Sequence, residues 1–202
     1  MSITINSLFP TAVGFTTFEE GFTKKQKNFI LNLEKNSNAG NLTSKDRYLH
    51  KNKILTNFYN FCSSTINKYF KEIYQPKHDV NLRITQMWAN YTEKNQYHHA
   101  HEHPNSFLSA VFYLQCTNGE DKIYFNRRDY KQLEVYSDSV NQFNCRSWFY
   151  PVEENLLIIF PSHINHSVEE VKFDKPRISI SMNTFPVGKL GDYGLCTECI
   201  LK

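Results

Sequence analysis

This sequence of 202 residues has little net charge, few glycines and no long apolar run. Its 23 Lys and Arg residues nearly balance 20 Asp and Glu residues, so the net charge of +3 is far from the basic stripe that phosphate-backbone binders need. Only 7 glycines occur, and no GxGxxG follows a predicted strand, which excludes the usual dinucleotide and phosphate-loop motifs. The longest apolar run, residues 107–114, is interrupted by Ser109 and is much shorter than the roughly 18 residues of a membrane span. We therefore expect no nucleic-acid partner, no membrane partner and, without a secretory signal, a cytoplasmic location.

Cysteine is also sparse, with 5 residues scattered along the chain. This number excludes a disulfide-rich scaffold, which would need a dense and regular set. Cys196 and Cys199 form a single CxxC near the end of the sequence. A lone CxxC is weak evidence for a metal or redox site, and small buried or frayed side chains are the favoured explanation.

Aromatic residues are abundant, and their spacing changes near residue 80. Before that point, apolar residues recur every three or four positions and predict helices over 22–35 and 51–74. After it, short aromatic and β-branched runs predict seven strands, at 82–88, 107–114, 122–125, 147–150, 156–160, 166–171 and 177–185. No helical segment separates these strands, so an antiparallel sandwich or barrel is favoured over a parallel sheet. We predict one α+β domain over 1–202, with a mainly helical part (1–80), a jelly-roll core (81–187) and a C-terminal tail (188–202).

Histidines are concentrated in two places that border predicted strands, at 98–103 and 163–166. In an extended chain, residues i and i+2 share a face, so His101 and His103 can direct their imidazoles to one point. His166, from a distant strand, would complete one face of a metal ion and leave the opposite positions open for substrate. The alternative is a solvated polar loop with histidines at the edge of the core. We expect His98 and His99 to lie at the rim of such a site.

An arginine and a serine follow the second histidine cluster. Arg177 and Ser179 share a strand face, and a guanidinium beside a hydroxyl is suited to clamping a carboxylate. The order of these features along the chain, a histidine pair, a distal histidine and then an arginine and a serine, resembles that of an oxygenase family of bacteria and their phages. This family depends on Fe(II) and 2-oxoglutarate and is distantly similar to prolyl hydroxylases. The resemblance rests on the motifs WAN (88–90), HEHPNS (101–106), LSAVFYL (108–114), FPSHINHSV (160–168) and RISISMN (177–183).

The resemblance implies a double-stranded β-helix of the jelly-roll type and an enzyme that hydroxylates its substrate. It implies Fe(II), 2-oxoglutarate and O₂ at the site, with ascorbate as a further candidate cofactor. The iron ligands would be His101 and His166, and Arg177 would bind the distal carboxylate of 2-oxoglutarate. Most of the superfamily has Asp or Glu two residues after the first histidine, where this sequence has His103; the neighbouring Glu102 is the alternative ligand. The cosubstrate would also be contacted by Ser179, Tyr113, Tyr91 and Asn90.

Two alternative hypotheses are a cupin-like three-histidine dioxygenase that does not use 2-oxoglutarate, and a non-catalytic jelly-roll binding or virion module.

If the protein is a 2-oxoglutarate-dependent oxygenase, its substrate is an unidentified small molecule, protein or peptide, with a prolyl or other peptidyl residue as one candidate. The long segment 116–150, with Arg127, Arg128 and Lys131, is expected to form the substrate rim. The oligomeric state stays open, a homodimer included. A phage-encoded protein would act in the cytoplasm of the host.

Overall fold

The computed structural model describes residues 2–128, 133 and 135–202. It contains two α-helices, α1 (Lys24–Leu31) and α2 (Thr56–Tyr74), and two short 3₁₀ helices, Leu49–Lys51 and Lys53–Leu55. Among the described residues, neither helix is long and apolar enough to cross a membrane. The strands are β1 (Gly14–Thr17), β2 (Lys35–Ser37), β3 (Leu42–Ser44), β4 (Val80–Thr92), β5 (His98–His101), β6 (Leu108–Gln115), β7 (Lys122–Asn126), β8 (Ser147–Pro151), β9 (Leu156–Pro161), β10 (Asn165–Val168), β11 (Arg177–Leu190) and β12 (Cys199–Leu201).

Both helices are shorter than their apolar patterns predicted, because polar side chains cap them inside the predicted ranges. Thr23 and Gln26 form a capping box that begins α1. The Gln26 amide also donates to the Ile54 carbonyl oxygen (2.9 Å), which ties α1 to the segment before α2. Asn52 caps a 3₁₀ turn, so the regular helix begins only at Thr56. Its buried stripe, as predicted, consists of Phe58, Cys62, Ile66 and Phe70.

The strands form two antiparallel sheets that face each other, which confirms the jelly-roll prediction. The large sheet has the order β1-β9-β6-β11-β4-β3-β2, with β12 also paired to β11. The small sheet has the order β5-β10-β7-β8. The two longest strands, β4 and β11, pair along nearly their whole lengths at the centre of the large sheet.

Several strand boundaries differ from the sequence prediction. The first 80 residues contain three strands besides the predicted helices, since β1, β2 and β3 add to both ends of the large sheet. These strands have three or four residues each, too few for an alternating pattern to be visible. Residues 188–202 are not a simple tail, because β11 continues to Leu190 and β12 pairs back onto it. Gly188 permits this close approach: its φ is +113°, and a Cβ there would lie 2.2 Å from the Asp79 carbonyl oxygen.

Alternate residues of the large sheet enter two different cores. One face packs against the helices and is apolar; Phe112, for example, lies between Phe22 and Phe58, with ring centroids 5.4 and 4.7 Å away. The other face looks toward the small sheet across a smaller cluster that includes Tyr113 and Phe160. This inner face also carries buried polar side chains, and they position the site.

Candidate active site

Three histidines converge between the two sheets. One possible ligand nitrogen each from His101, His103 and His166 lies within 4.8 Å of the other two. The Nε2 atoms of His103 and His166 are 3.3 Å apart, and their rings are nearly parallel. His101 is directly opposite His166 in the pairing of β5 with β10. The structure therefore brings together the three residues predicted as metal ligands.

Backbone carbonyls orient two of these rings. His101 Nδ1 lies 2.8 Å from the His99 carbonyl oxygen, and His166 Nδ1 lies 2.9 Å from that of Ile164. A ring nitrogen that faces a carbonyl carries the proton, so the Nε2 lone pair of each ring is directed into the cluster. This tautomer is the one that ligates a metal through Nε2.

His103 reaches the cluster from a loop and not from a strand. The prediction assumed that His101 and His103 share a strand face, but β5 ends at His101. The backbone N–H of His103 instead donates to the Ser162 carbonyl oxygen at 3.1 Å, which anchors the loop beside β9. The alternative ligand, Glu102, points elsewhere: its carboxylate pairs with Arg128 Nη1 at 2.7 Å. The geometry favours His103 over Glu102 because of this backbone anchor and the Glu102–Arg128 ion pair, and not because of strand parity.

Burial keeps these imidazoles neutral. Desolvation, with a further contribution from His101, lowers the pKa of His103 to about 4, although a hydrogen bond with Asn183 acts in the opposite direction. Desolvation also lowers the pKa of His101 and takes that of His166 well below its ordinary value. Neutral imidazole is the form that binds a metal ion, so the cluster is ready to bind metal at neutral pH.

A fourth histidine, His98, also lines the pocket, although we expected it at the rim. Its ring stacks on that of His101 with centroids 4.5 Å apart. The cause is a β-bulge: two residues lie between His98 and His101, whereas only one lies between their partners Val168 and His166. The extra residue turns His98 inward, and burial together with the neighbouring histidines lowers its pKa to about 3. No sequence signal marks this bulge.

Arg177 lies in the same pocket and is 3% exposed. Its Nη1 lies 3.3 Å from Asp121 Oδ1, and the other carboxylate oxygen of Asp121 accepts from the Thr117 backbone N–H at 2.8 Å. Burial lowers the pKa of Arg177, and Tyr113 and Asp121 oppose that effect, but a guanidinium stays protonated at neutral pH. Asp121 was missed in the sequence, where it looks like part of a turn, yet it holds Arg177 in place.

A polar row crosses the inner face of the large sheet beside Arg177. Asn90, Ser179 and Tyr113 are direct neighbours on β4, β11 and β6. Ser179 and Tyr113 line the pocket, as the cosubstrate prediction requires. The Asn90 amide donates to the hydroxyls of Ser179 (3.4 Å) and Ser181 (2.9 Å), so Asn90 orients these serines.

The structure places Tyr91 away from the pocket, contrary to the prediction. It neighbours Asn90 on β4 and therefore points to the opposite face, among the residues that pack against the helices. There its hydroxyl donates to the Ile30 carbonyl oxygen at the end of α1. A role in cosubstrate binding does not fit this position. Tyr91 and Asn90 could not both face the pocket, and strand parity places Asn90 there.

The remaining candidates lie apart from the pocket. Cys196 and Cys199 are exposed and free, and the structure assigns them no metal partner within the described residues. Arg127 and Arg128 follow β7 at the end nearest His166. Lys131, the third basic residue of the predicted substrate rim, is outside the described residues.

The residues of the pocket fit both an iron ion and 2-oxoglutarate. Imidazole nitrogen is a suitable ligand for Fe(II), and a cluster of three leaves coordination positions for other ligands. The buried guanidinium of Arg177, next to the Ser179 hydroxyl, matches a carboxylate with two oxygens. The pocket thus offers a metal end and a carboxylate end.

Comparison with known proteins agrees with this description. Residues 86–183 match the sequence profile of the family described as "Putative 2OG-Fe(II) oxygenase". No curated protein sequence matches the chain significantly.

Solved structures are similar in fold at low identity. An oxidoreductase of the 2OG-Fe(II) oxygenase family from Burkholderia pseudomallei has a TM-score of 0.58 and 11% identity, over 85% of this chain and 83% of that one. HygX from Streptomyces hygroscopicus, with nickel and 2-oxoglutarate bound, has a TM-score of 0.57 and 10% identity, over 86% and 82%. A Pseudomonas putida prolyl-4-hydroxylase has a TM-score of 0.50 and 12% identity, over 86% and 92%. Together with the motifs above, the match makes residues 86–183 similar to the 2OG-Fe(II) oxygenase family, and the pocket fits Fe(II) and 2-oxoglutarate, the cofactors of that family.

Proposed function

We propose that this protein is a hydroxylase that acts on a peptidyl residue, with proline as the first candidate. The observation that carries the oxygenase chemistry is one pocket lined by three converging histidines and a buried arginine. The peptidyl substrate draws support from the similarity in fold to a prolyl-4-hydroxylase.

The residues have separate tasks in this proposal. His101, His103 and His166 would hold Fe(II) through their Nε2 atoms, while Arg177 would bind the distal carboxylate of 2-oxoglutarate. When bound, iron and 2-oxoglutarate supply the oxidation: one atom of O₂ ends in succinate, with release of CO₂, and the other in a hydroxyl group on the substrate. The protein contributes position and exclusion of water.

Buried hydroxyl groups support the metal end of the pocket. Ser162 Oγ lies 2.8 Å from Ser109 Oγ and donates to Ser106 Oγ at 2.7 Å. The Ser162 carbonyl oxygen is also the group that anchors His103. This network fixes the loop that carries the third ligand, so the ligand does not have to be ordered when metal binds.

We also propose that the protein acts in the cytoplasm, as the sequence led us to expect. All five cysteines are free, including the exposed Cys196 and Cys199. Exposed thiols are common where the environment is reducing.

The proposal is tested by the conversion of 2-oxoglutarate to succinate. With Fe(II) and O₂, the protein should produce succinate slowly alone and faster with a peptide substrate, in equal amounts with hydroxylated peptide measured by mass spectrometry. Arg177→Ala should lose this activity, whereas the exposed Arg83→Ala, as a matched control, should retain it.

Two other results would contradict the proposal. Metal binding without any use of 2-oxoglutarate would favour the cupin-like dioxygenase. Absence of metal binding would favour the non-catalytic module.

A further inference from the structure

Alternate residues of β11 form a polar row that runs from the carboxylate end of the pocket to its metal end. The row consists of Arg177, Ser179, Ser181 and Asn183. Arg177 is at the carboxylate end, whereas Asn183 forms a hydrogen bond with His103 of the histidine cluster. Ser181 therefore lies between Ser179 and the metal end, and it lines the pocket. The carboxylate clamp of Arg177 and Ser179 does not include it.

Trp88 fixes the orientation of the Asn90 amide. The indole Nε1–H of Trp88 can only donate, and it lies 3.1 Å from Asn90 Oδ1. The amide oxygen therefore faces Trp88, which leaves the amide NH₂ group for the two serines. Asn90 Nδ2 donates to Ser181 Oγ at 2.9 Å and to Ser179 Oγ at 3.4 Å. Because Asn90 is buried, water does not compete for these hydrogen bonds.

The two serine hydroxyl groups are left as donors to the pocket. Each oxygen accepts from Asn90, so its own proton is free for another acceptor. Within the part of the chain that the structure describes, neither hydroxyl donates to a protein group. Both serines line the pocket that contains Arg177. Since a donor without an acceptor is costly away from water, the pair predicts acceptor atoms on a ligand.

The spacing of the two hydroxyl groups matches a short diacid. Ser179 and Ser181 are alternate residues of one strand, so their side chains begin about 6.6 Å apart. This separation is comparable to the length of a five-carbon diacid such as 2-oxoglutarate. When Arg177 and Ser179 bind the distal carboxylate, Ser181 therefore faces the end of the cosubstrate that bears the oxo group.

We propose that Ser181 is a second hydroxyl donor to 2-oxoglutarate and binds its oxo-acid end beside the histidine cluster. Trp88 and Asn90 are positioning residues: they do not line the pocket, but they direct the protons of Ser179 and Ser181 into it. The inference deepens the proposed function and rests on it for the identity of the cosubstrate. It does not depend on which substrate is oxidised.

Binding can be measured without turnover in the protein loaded with Mn²⁺. Calorimetric titration compares 2-oxoglutarate with oxalate, which has oxygen atoms that chelate a metal but no distal carboxylate beyond them. Ser181→Ala should weaken binding of both ligands by about tenfold or more, because each loses a hydrogen bond to a charged group. Ser179→Ala should weaken binding of 2-oxoglutarate only. Ser64→Ala, the same change at an exposed position of α2, is the matched control and should affect neither.

Trp88→Phe tests the positioning step. This variant keeps an aromatic ring beside His103, whose ring centroid is 5.7 Å from that of Trp88, but it removes the indole N–H. Affinity for 2-oxoglutarate should fall by about threefold or more, because the Asn90 amide is then free to turn its oxygen toward the serines. A fall in Mn²⁺ affinity without a fall in 2-oxoglutarate affinity would show that Trp88 supports His103 only. Circular dichroism checks that each variant is folded.

The outcomes separate this inference from the proposed function. If Arg177→Ala loses 2-oxoglutarate binding but Ser181→Ala binds both ligands like the unaltered protein, the inference is wrong and the oxygenase proposal stands. Equal losses of oxalate affinity in Ser179→Ala and Ser181→Ala would overturn the assignment of Ser181 to the oxo-acid end. If both ligands follow the predicted pattern but no peptide is hydroxylated, the role of Ser181 stands and the proposed reaction is wrong. If the unaltered protein binds neither ligand, both are wrong.

Discussion

The two faces of the large sheet use the same strands for different purposes. On β6, Phe112 packs into the aromatic cluster below the helices, while its neighbour Tyr113 lines the pocket. On β11, Ile178 is in the apolar core, and Arg177 and Ser179 are in the site. The helix-side face stabilises the fold through apolar burial. On the inner face, buried polar groups cost stability, but they supply the side chains of the candidate site. Substitutions of adjacent residues should therefore have separable effects.

The largest effect on stability is expected at the helix-side face. Phe112 is fully buried against Phe22 and Phe58, so Phe112→Ala should lower the free energy of unfolding by about 3–5 kcal/mol. Denaturant unfolding measures this change, and the exposed Phe173→Ala serves as the control. A similar loss for both variants would mean that the aromatic cluster is not the main core.

The inner face should respond in ligand affinity. Arg177→Ala leaves a 2-oxoglutarate carboxylate without its partner, at a cost on the order of 2–5 kcal/mol, or roughly 30-fold to several-thousand-fold in affinity. Arg177→Lys should recover only part, because an ammonium lacks the planar two-point contact. Calorimetric titration of 2-oxoglutarate into the metal-loaded protein checks this. Unchanged affinity for 2-oxoglutarate in Arg177→Ala would show that Arg177 does not bind its carboxylate.

A buried histidine cluster should also make the metal-free protein sensitive to acid. The pKa of His103 is about 4 and that of His98 about 3 in the folded protein, against about 6.5 when unfolded. Below pH 6.5 the unfolded chain therefore binds more protons, and the free energy of unfolding falls by about 1.4 kcal/mol per pH unit for each such group. This stability is complete above pH 6.5 and is lost as the pH falls toward the folded values.

Denaturant unfolding between pH 7 and 4 tests this expectation. His98→Gln removes one of these imidazoles and should reduce the slope, while carboxylates contribute equally to both proteins. An identical slope in the two proteins would show that His98 is not buried as a neutral group.

The smallest effects come from two tyrosines on opposite faces. Tyr91→Phe removes a hydrogen bond to the Ile30 carbonyl oxygen and should cost about 0.5–1.5 kcal/mol of stability without a change in 2-oxoglutarate affinity. Tyr113→Phe should weaken 2-oxoglutarate binding instead, because Tyr113 lines the pocket. The reverse pattern, measured by unfolding and titration, would contradict the assignment of the faces.

The sequence predicted the jelly-roll core because its strands have clear aromatic and β-branched runs. It did not predict β1, β2 and β3, whose pairing depends on long-range contacts with other strands and not on their own composition. In the site, the two histidine clusters and Arg177 were visible as motifs. The inward position of His98 depends on a bulge, and the role of Asp121 depends on a contact across 56 residues of sequence. The error at Tyr91 was avoidable, since adjacent strand residues face opposite ways.

The central claim is that three histidines hold the metal, with His103 in the place of the usual carboxylate. The most direct test is anaerobic titration of Fe(II), or of Mn²⁺ as a substitute, into four proteins: the unaltered chain, His103→Ala, His103→Asp and Glu102→Gln. We predict one ion per unaltered chain, affinity at least about tenfold lower in His103→Ala, and retained binding in His103→Asp and Glu102→Gln. Unchanged affinity in His103→Ala together with loss of binding in Glu102→Gln would contradict the account and make Glu102 the ligand.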